Sequence, residues 1–408
     1  SFLNLISMQF YNIKRNKNYK VKNFPALVLL LVIVFCRCSG QPGDSSVVTV
    51  TNQDSIAALL VSINAKQKAF QLDTLFKNMH KTKGFNGNVL IVQQGQVIYK
   101  NCFGFSNYVK KDSLKLNSAF QLASLSKPFT ALAIMMLKEK GKLDYSDEVT
   151  KFFPGFPYKG ITVKQLLCHR SGLPNYNYFC DEYTDDHDTP ICNTDVIAWM
   201  EEHKPEPYDK PDKHFHYCNT NYILLESIVE KVSGVSFSDF MRDNVFLPLK
   251  MNDTWIKNTI DDTLRKNKTT GYNSKWKHEK DDYLDGVLGD KGVYSTVEDL
   301  YRWDRALYTD KIITQKTLIE AFAPRSFEKK GLRNYGYGWR LIAQPDSSKV
   351  VYHNGWWHGY NTTFYRRLND QTTVIILGNK YNKSVYRIQG ILQVLGTAGN
   401  IETEEGEE

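Results

Sequence analysis

The sequence predicts an α+β fold on three observations. Two β-rich runs near the N-terminal end are separated by a glycine, and four more lie near the C-terminal end. The residues between them carry apolar positions at helical spacing. Together these describe one sheet drawn from both ends of the chain, packed by helices, with a helical insertion. The composition of the 408 residues, 42% hydrophobic and 24% charged, suits a globular chain and excludes a collagen or a multi-span membrane protein.

In chain order, residues 1–38 read as a basic leader and signal segment. Lys14, Arg15, Lys17, Lys20, Lys22 and Arg37 precede Cys38 with no acid among them. The apolar run Phe24 to Cys36 falls short of the about 20 residues that a membrane span needs. That pattern implies export to the periplasm or cell envelope. Cleavage, an uncleaved anchor and a lipid on Cys38 remain open, although Phe35, Cys36 and Arg37 are larger than the residues usual before a lipidated cysteine. Residue 1 is not Met, and Met8 is a candidate start. The formal charge of +8 sits mostly in this leader, so no nucleic-acid partner is implied.

Residues 39–68 read as a linker. Phe70, Leu72, Leu75, Phe76 and Met79 then mark a helix over 69–83 that Gly84 ends. Residues 88–92 and 96–100 form a hairpin about Gly95, and 126–140 is a strongly apolar helix closed by Gly141. A helical subdomain over roughly 145–260 includes patterns at 163–168, 195–203, 221–232 and 237–245. Strands follow at 337–341, 350–353, 362–367 and 373–377, then a helix at 384–395. Residues 69–398 make the folded domain, and 399–408 is an acidic tail.

Three short motifs carry chemistry. Ser124-Leu125-Ser126-Lys127 places a hydroxyl and an amine three residues apart at a helix start, on one face. A desolvated lysine can serve a serine as base, and the helix N-terminus favours developing negative charge. Tyr217-Cys218-Asn219 offers a phenol that can move a proton and an amide that can bind both a lysine and a carbonyl. His353-Asn354-Gly355 ends a β-run before Trp356 and Trp357; Gly355 would let a substrate backbone approach, and the Trp356 N–H could donate to an oxyanion. Each motif alone has a bland reading: a helix cap, a buried aromatic, a turn. Their order and setting give the combination its meaning.

In that order S-x-x-K, Y-x-N and H-x-G resemble the serine β-lactamase and penicillin-recognising enzyme family, in its class C and D-Ala-D-Ala carboxypeptidase-like branch. The segments FQLASLSKPFTALAIMMLKEKGKLDYSDEVTKFFP, ITVKQLLCHRSGLP and GVYSTVEDLYRWDRAL extend the likeness from about Leu72 to about Gly396. The resemblance implies an antiparallel sheet packed by helices plus an all-helical subdomain, with a site in the cleft between. It implies Ser124 as acylated nucleophile, Lys127 and Tyr217 as proton carriers, and Asn219 orienting the substrate. His353 would stand where many relatives carry Lys, and the N–H groups of Ser124 and Trp356 would form the oxyanion hole. No metal or organic cofactor is implied, and the substrate is a small molecule or peptide: a D-Ala peptide, a β-lactam or an ester. A non-catalytic ligand-binding member, or a protein that acylates without turnover, is the alternative.

The segment CDEYTDDHDTPIC brackets five carboxylates with Cys180 and Cys192. These cysteines are a candidate disulfide in an oxidising compartment, with free thiols as the other reading. Its acids lack the spacing of a calcium loop, so a solvated rim is expected. The other histidines, His169 among them, show no metal-ligand spacing.

Overall fold

The computed structural model describes residues 52–257, 265–328, 331, 333–343 and 349–397. The leader, Cys38 and the acidic tail lie outside the described residues. The expected linker is helical where it is described: α1 (Asn52–Ser62) precedes α2 (Ala65–Lys83). The run is polar, but Ile56, Ala57, Ala58, Leu59 and Leu60 are adequate helix formers. Asn64, at φ 54°, turns the chain between the two helices, a conformation that asparagine tolerates.

Strands β1 (Gly87–Gln93) and β2 (Gln96–Phe103) form the expected hairpin. Gln94 and Gly95 both have positive φ, as the two-residue loop favoured by strand twist requires. Helix α3 (Lys127–Glu139) begins within a residue of expectation and is buried from Lys127 through Leu137. Pro128 stands in its first turn, where its missing N–H costs nothing. The helical stretch that follows includes α4 (Val163–Leu167), α5 (Asn193–His203) and α6 (Thr220–Ser233). It closes before a short strand, Trp255–Ile256, that pairs with Val293–Ser295. Helix α7 (Val297–Ala306) leads back toward the sheet.

Near the C-terminal end come β3 (Arg333–Tyr335), β4 (Arg340–Ala343), β5 (Lys349–Trp357), β6 (Tyr360–Arg367), β7 (Thr372–Gly378) and α8 (Gln389–Leu395). The sheet order is β2-β1-β7-β6-β5-β4-β3, antiparallel throughout. The two ends of the chain therefore meet at β1 and β7, as the sequence implies. The strand expected over 337–341 is found only from Arg340 onward, in β4, and its first residues are a correction. Tyr337 N–H bonds Ala321 O and Gly338 N–H bonds Leu167 O, so this backbone is tied to helical elements and splits β3 from β4.

Alternation along β1 and β7 builds two cores. Val89, Ile91, Val374 and Ile376 pack with Leu72 and Phe76 of α2 and Leu392 of α8. Leu90, Ile375 and Leu377 face the other way, onto α3 and the helical stretch. Asp304 of α7 is locked to the second face: Arg366 Nε of β6 donates to it at 2.6 Å and Thr373 Oγ1 of β7 at 3.0 Å. Helix α3, buried almost along its length, is thus held between the sheet and α6, with its N-terminus at their junction.

Candidate active site

Residues 123–126 form a single 3-10 turn that runs directly into α3. Three residues per turn eclipse positions i and i+3, which brings Ser124 under Lys127. Lys127 Nζ lies 2.9 Å from Ser124 Oγ and donates to Asp290 O at 3.1 Å. Ser124 is partly exposed while Leu122, Ala123, Leu125, Ser126 and Lys127 are all buried. The turn therefore presents one hydroxyl to the cleft. Ala123 adopts φ 51°, a strained conformation for a residue with a Cβ, at the entry to this turn.

Gly355 supplies the space for it. A Cβ on Gly355 would stand 2.1 Å from Leu122 O and 3.1 Å from Ala123 Cβ. Thr362, opposite Gly355 in the ladder, donates its hydroxyl to the same Leu122 carbonyl at 2.8 Å. The space beside Gly355 is taken by the turn that carries Ser124. His353 to Gly355 also lie within a strand and not at its end. Strand β4 pairs with β5 only over Lys349–Tyr352, so from His353 onward this edge has no strand partner among the described residues. Trp356 on that half is 39% exposed and meets Tyr381 edge-on at 5.8 Å. Trp357 is tucked in, its indole N–H donating to Asp285 at 2.9 Å.

Helix α6 begins beside the lysine. Tyr217 precedes it in a loop, and Lys127 Nζ lies 4.9 Å from the centre of the Tyr217 ring and 5.7 Å from that of Tyr222. The faces of aromatic rings stabilise a buried cation. The Arg340 guanidinium is 5.2 Å from the same Tyr217 ring. Asn219 stands at the cap position of α6 yet makes no capping bond. Its Nδ2 donates to Asn177 Oδ1 at 2.8 Å, and its Oδ1 is buried with no hydrogen-bond partner. Such an acceptor is costly unless a ligand satisfies it.

His353 is the residue whose place departs most from expectation. It is 1% exposed; Nδ1 lies 2.7 Å from Asn354 O and Nε2 3.1 Å from Tyr335 Oη. A carbonyl accepts, so Nδ1 carries the proton and Nε2 accepts from the tyrosine. Neither nitrogen is available to grip a substrate, and the ring props the strand. Burial first, then the charges of Arg340 and Lys127, hold its pKa well below the ordinary histidine value.

All five body cysteines are free, which corrects the candidate Cys180–Cys192 disulfide. Cys180 is buried while Cys192 is exposed, its Sγ 3.0 Å from Thr194 Oγ1. The segment between is held by Tyr283, whose ring stacks on His187 and whose hydroxyl bonds Asp181. Asp282, Asp285 and His358 bring ligand atoms within 4.8 Å of one another. The geometry there is an ion-pair cluster: Asp285 lies 2.9 Å from His358 Nε2 and 3.2 Å from Lys257 Nζ. Burial opposes charge on His358, but Asp282 and Asp285 outweigh it and push its pKa up to about 9.

This assembly of a serine under a buried lysine, with a tyrosine ring beside the lysine and a β-strand alongside, agrees with the comparisons. The family model described as Beta-lactamase matches residues 72–397. The chain belongs to the beta-lactamase family. Penicillin-binding protein 4* of Bacillus subtilis is 38% identical over 341 residues, covering 80% of this chain and 75% of that one. The octameric penicillin-binding protein homologue of Pyrococcus abyssi superposes with a TM-score of 0.70 at 26% identity, covering 80% of this chain and 77% of that one. A penicillin-binding protein of Bacillus halodurans shares the fold, with a TM-score of 0.68 at 23% identity over 78% of this chain and 98% of its own. This member of the family is accordingly a serine hydrolase of the beta-lactamase-related, penicillin-binding-protein-like type.

The sequence motifs thus converge on one place for Ser124, Lys127, Tyr217 and Asn219. Sequence reasoning misses Asp290, which contributes a backbone carbonyl and has no side-chain signal, and His169, whose contacts become visible only in three dimensions. His353 and His169 are both kept neutral when folded, with pKa values well below the ordinary range. Depressed values contribute stability that is present above about pH 6.5 and lost as pH falls below it, because the unfolded chain binds the protons. His353→Gln should flatten the decline in urea stability between about pH 7 and pH 5 relative to the native protein. An unchanged slope would show that His353 is not held neutral.

Proposed function

We propose that this hydrolase works by acyl transfer through a Ser124 acyl-enzyme, acting on an amide or ester. The observation that carries this reading is the 2.9 Å approach of Lys127 Nζ to Ser124 Oγ at the one exposed position of a buried turn. Ser124 Oγ attacks the carbonyl carbon and gives its proton to the Lys127–Tyr217 pair. The pair then protonates the leaving amine or alcohol as the acyl–N or acyl–O bond breaks. Water, deprotonated by the same groups, hydrolyses the ester and restores Ser124. The N–H groups of Ser124 and Trp356 are assigned to the developing oxyanion, and the unpartnered Asn219 Oδ1 to an N–H of the substrate.

The names of the relatives support a penicillin as ligand, and the resemblance of the three motifs supports a cell-wall peptide ending in D-Ala. Exposed Trp356 supports an acyl part with an apolar or planar surface beside the scissile bond. His353 does not supply a carboxylate grip, and Arg340 is the permanent cation beside Tyr217. A panel of D-Ala peptides, penicillins and short esters, followed by intact mass and product release, tests the reading. Lys127→Ala and Tyr217→Phe should each slow acylation by about 10²-fold or more. The double variant should be no slower than the worse single one, since the two groups move one proton. Effects that multiply would contradict the pair, and an adduct that forms without product release would mark acylation without turnover.

The basic, apolar leader supports export, with or without anchoring at Cys38. Among the described residues no helix is long and apolar enough to cross a membrane. Cell fractionation with N-terminal mass mapping should find a processed chain outside the cytoplasm. An unprocessed cytoplasmic chain contradicts export, and with it a role on cell-wall peptides.

A further inference from the structure

Helix α4 ends in a turn that normally calls for glycine. His169 N–H bonds Leu166 O at 3.3 Å and Arg170 N–H bonds Gln165 O at 2.8 Å, the paired closure of a Schellman motif. The residue in the left-handed position, at φ 57°, is His169. A Cβ there is strained, so the local turn is built less favourably than glycine would build it. The side chain must offset that strain elsewhere.

It does so around Tyr217. The carbonyl of His169 accepts the N–H of His216 at 2.9 Å, and its Nδ1 accepts the N–H of Cys218 at 3.1 Å. The residues immediately before and after Tyr217 are thus both fastened to one histidine. Asn221 Nδ2 lies 3.1 Å from the same Nδ1, fixing the ring from the first turn of α6. The imidazole lies against the Tyr217 ring itself, with centroids 4.3 Å apart. Since Nδ1 accepts, the proton is on Nε2, which is buried without a hydrogen-bond partner. A wholly buried N–H left unpaired is a second cost that helix termination alone does not explain. Phe215, Tyr222 and Tyr335 close the remaining sides of the ring.

We propose that His169 is the positioning residue for Tyr217, its Nδ1 fastening the backbone just after the tyrosine and its imidazole covering one face of the ring, so that the ring stays beside Lys127. The inference rests on the acid–base role given to Tyr217 above. It predicts that activity and turn stability separate at this position. His169→Gly relieves the left-handed strain and keeps the carbonyl bond to His216, but removes the Nδ1 bond to Cys218 and the ring contact, so it should melt at or above the temperature of His169→Ala and yet acylate equally slowly, about 10-fold or more below native. His169→Asn tolerates the backbone and returns an acceptor near Nδ1, so it should recover acylation to within about 3-fold of native. In a Tyr217→Phe background, His169→Gly should add less than about 2-fold, because the group it positions is already lost.

Single-turnover acylation, with thermal melts in parallel, reads all of these. Native acylation in His169→Gly while Tyr217→Phe is slow would overturn the positioning role and leave the acid–base reading intact. The full His169→Gly loss persisting in the Tyr217→Phe background would do the same, since the effect would then bypass the phenol. A Tyr217→Phe enzyme with native acylation would overturn the acid–base reading itself, and this inference with it.

Discussion

The site is organised around one burial: the amino group of Lys127 lies inside the protein, at the start of a helix with no exposed face through Leu137. A group of that polarity must be compensated wherever water cannot reach it. Ser124 Oγ and Asp290 O supply acceptors, and Tyr217 and Tyr222 supply ring faces. Each compensating group has its own support. The loop bearing Asp290 is held where Thr130 Oγ1 donates to Gly289 O at 2.6 Å, and where Tyr176 Oη donates to Asp290 at 2.9 Å. Gly289 is needed there, since a Cβ would strike Tyr222 O at 2.4 Å. Accommodating the lysine and assembling the groups around Ser124 are therefore one packing problem.

The sheet and the helices contribute different parts of that solution. Strand β5 offers a flat seat for the Ser124 turn at Gly355 and, among the described residues, an edge with no strand partner beyond Tyr352. The helical side offers Tyr217 and Asn219, at the start of α6, aimed across the seam. His353 and Tyr335 join β5 to β3, and His169 joins α4 to the loop before α6. The buried His353 imidazole suits its post because one nitrogen donates and the other accepts without a net charge.

Features that depend on residues close in sequence are legible in the sequence alone. The S-x-x-K pair is local, so its meeting follows from helical geometry. The hairpin about Gly95 and the apolar α3 are also written in short-range pattern. Features that depend on partners distant in sequence are not legible in that way. The 337–341 run looks like one strand, but the N–H groups of Tyr337 and Gly338 find Ala321 and Leu167, and only Arg340 and Leu341 join the ladder. Gly355 reads correctly as a place of close approach, but what approaches is Leu122, more than two hundred residues away in sequence. The motif picks out His353, while its burial against Tyr335 depends on a fold contact that no local pattern encodes. His169 lies inside the ITVKQLLCHRSGLP segment and carries no sign of its role there, because a strained φ leaves no mark on a single sequence.

Which atom becomes acylated decides whether the buried lysine and its serine are the reacting pair. Proteolytic digestion and fragment-ion sequencing of the enzyme trapped with penicillin locates the adduct directly. The acyl mass is expected on Ser124 alone, and not on Ser126, two residues on and buried. An adduct on any other side chain, with Ser124 unmodified, would contradict the assignment.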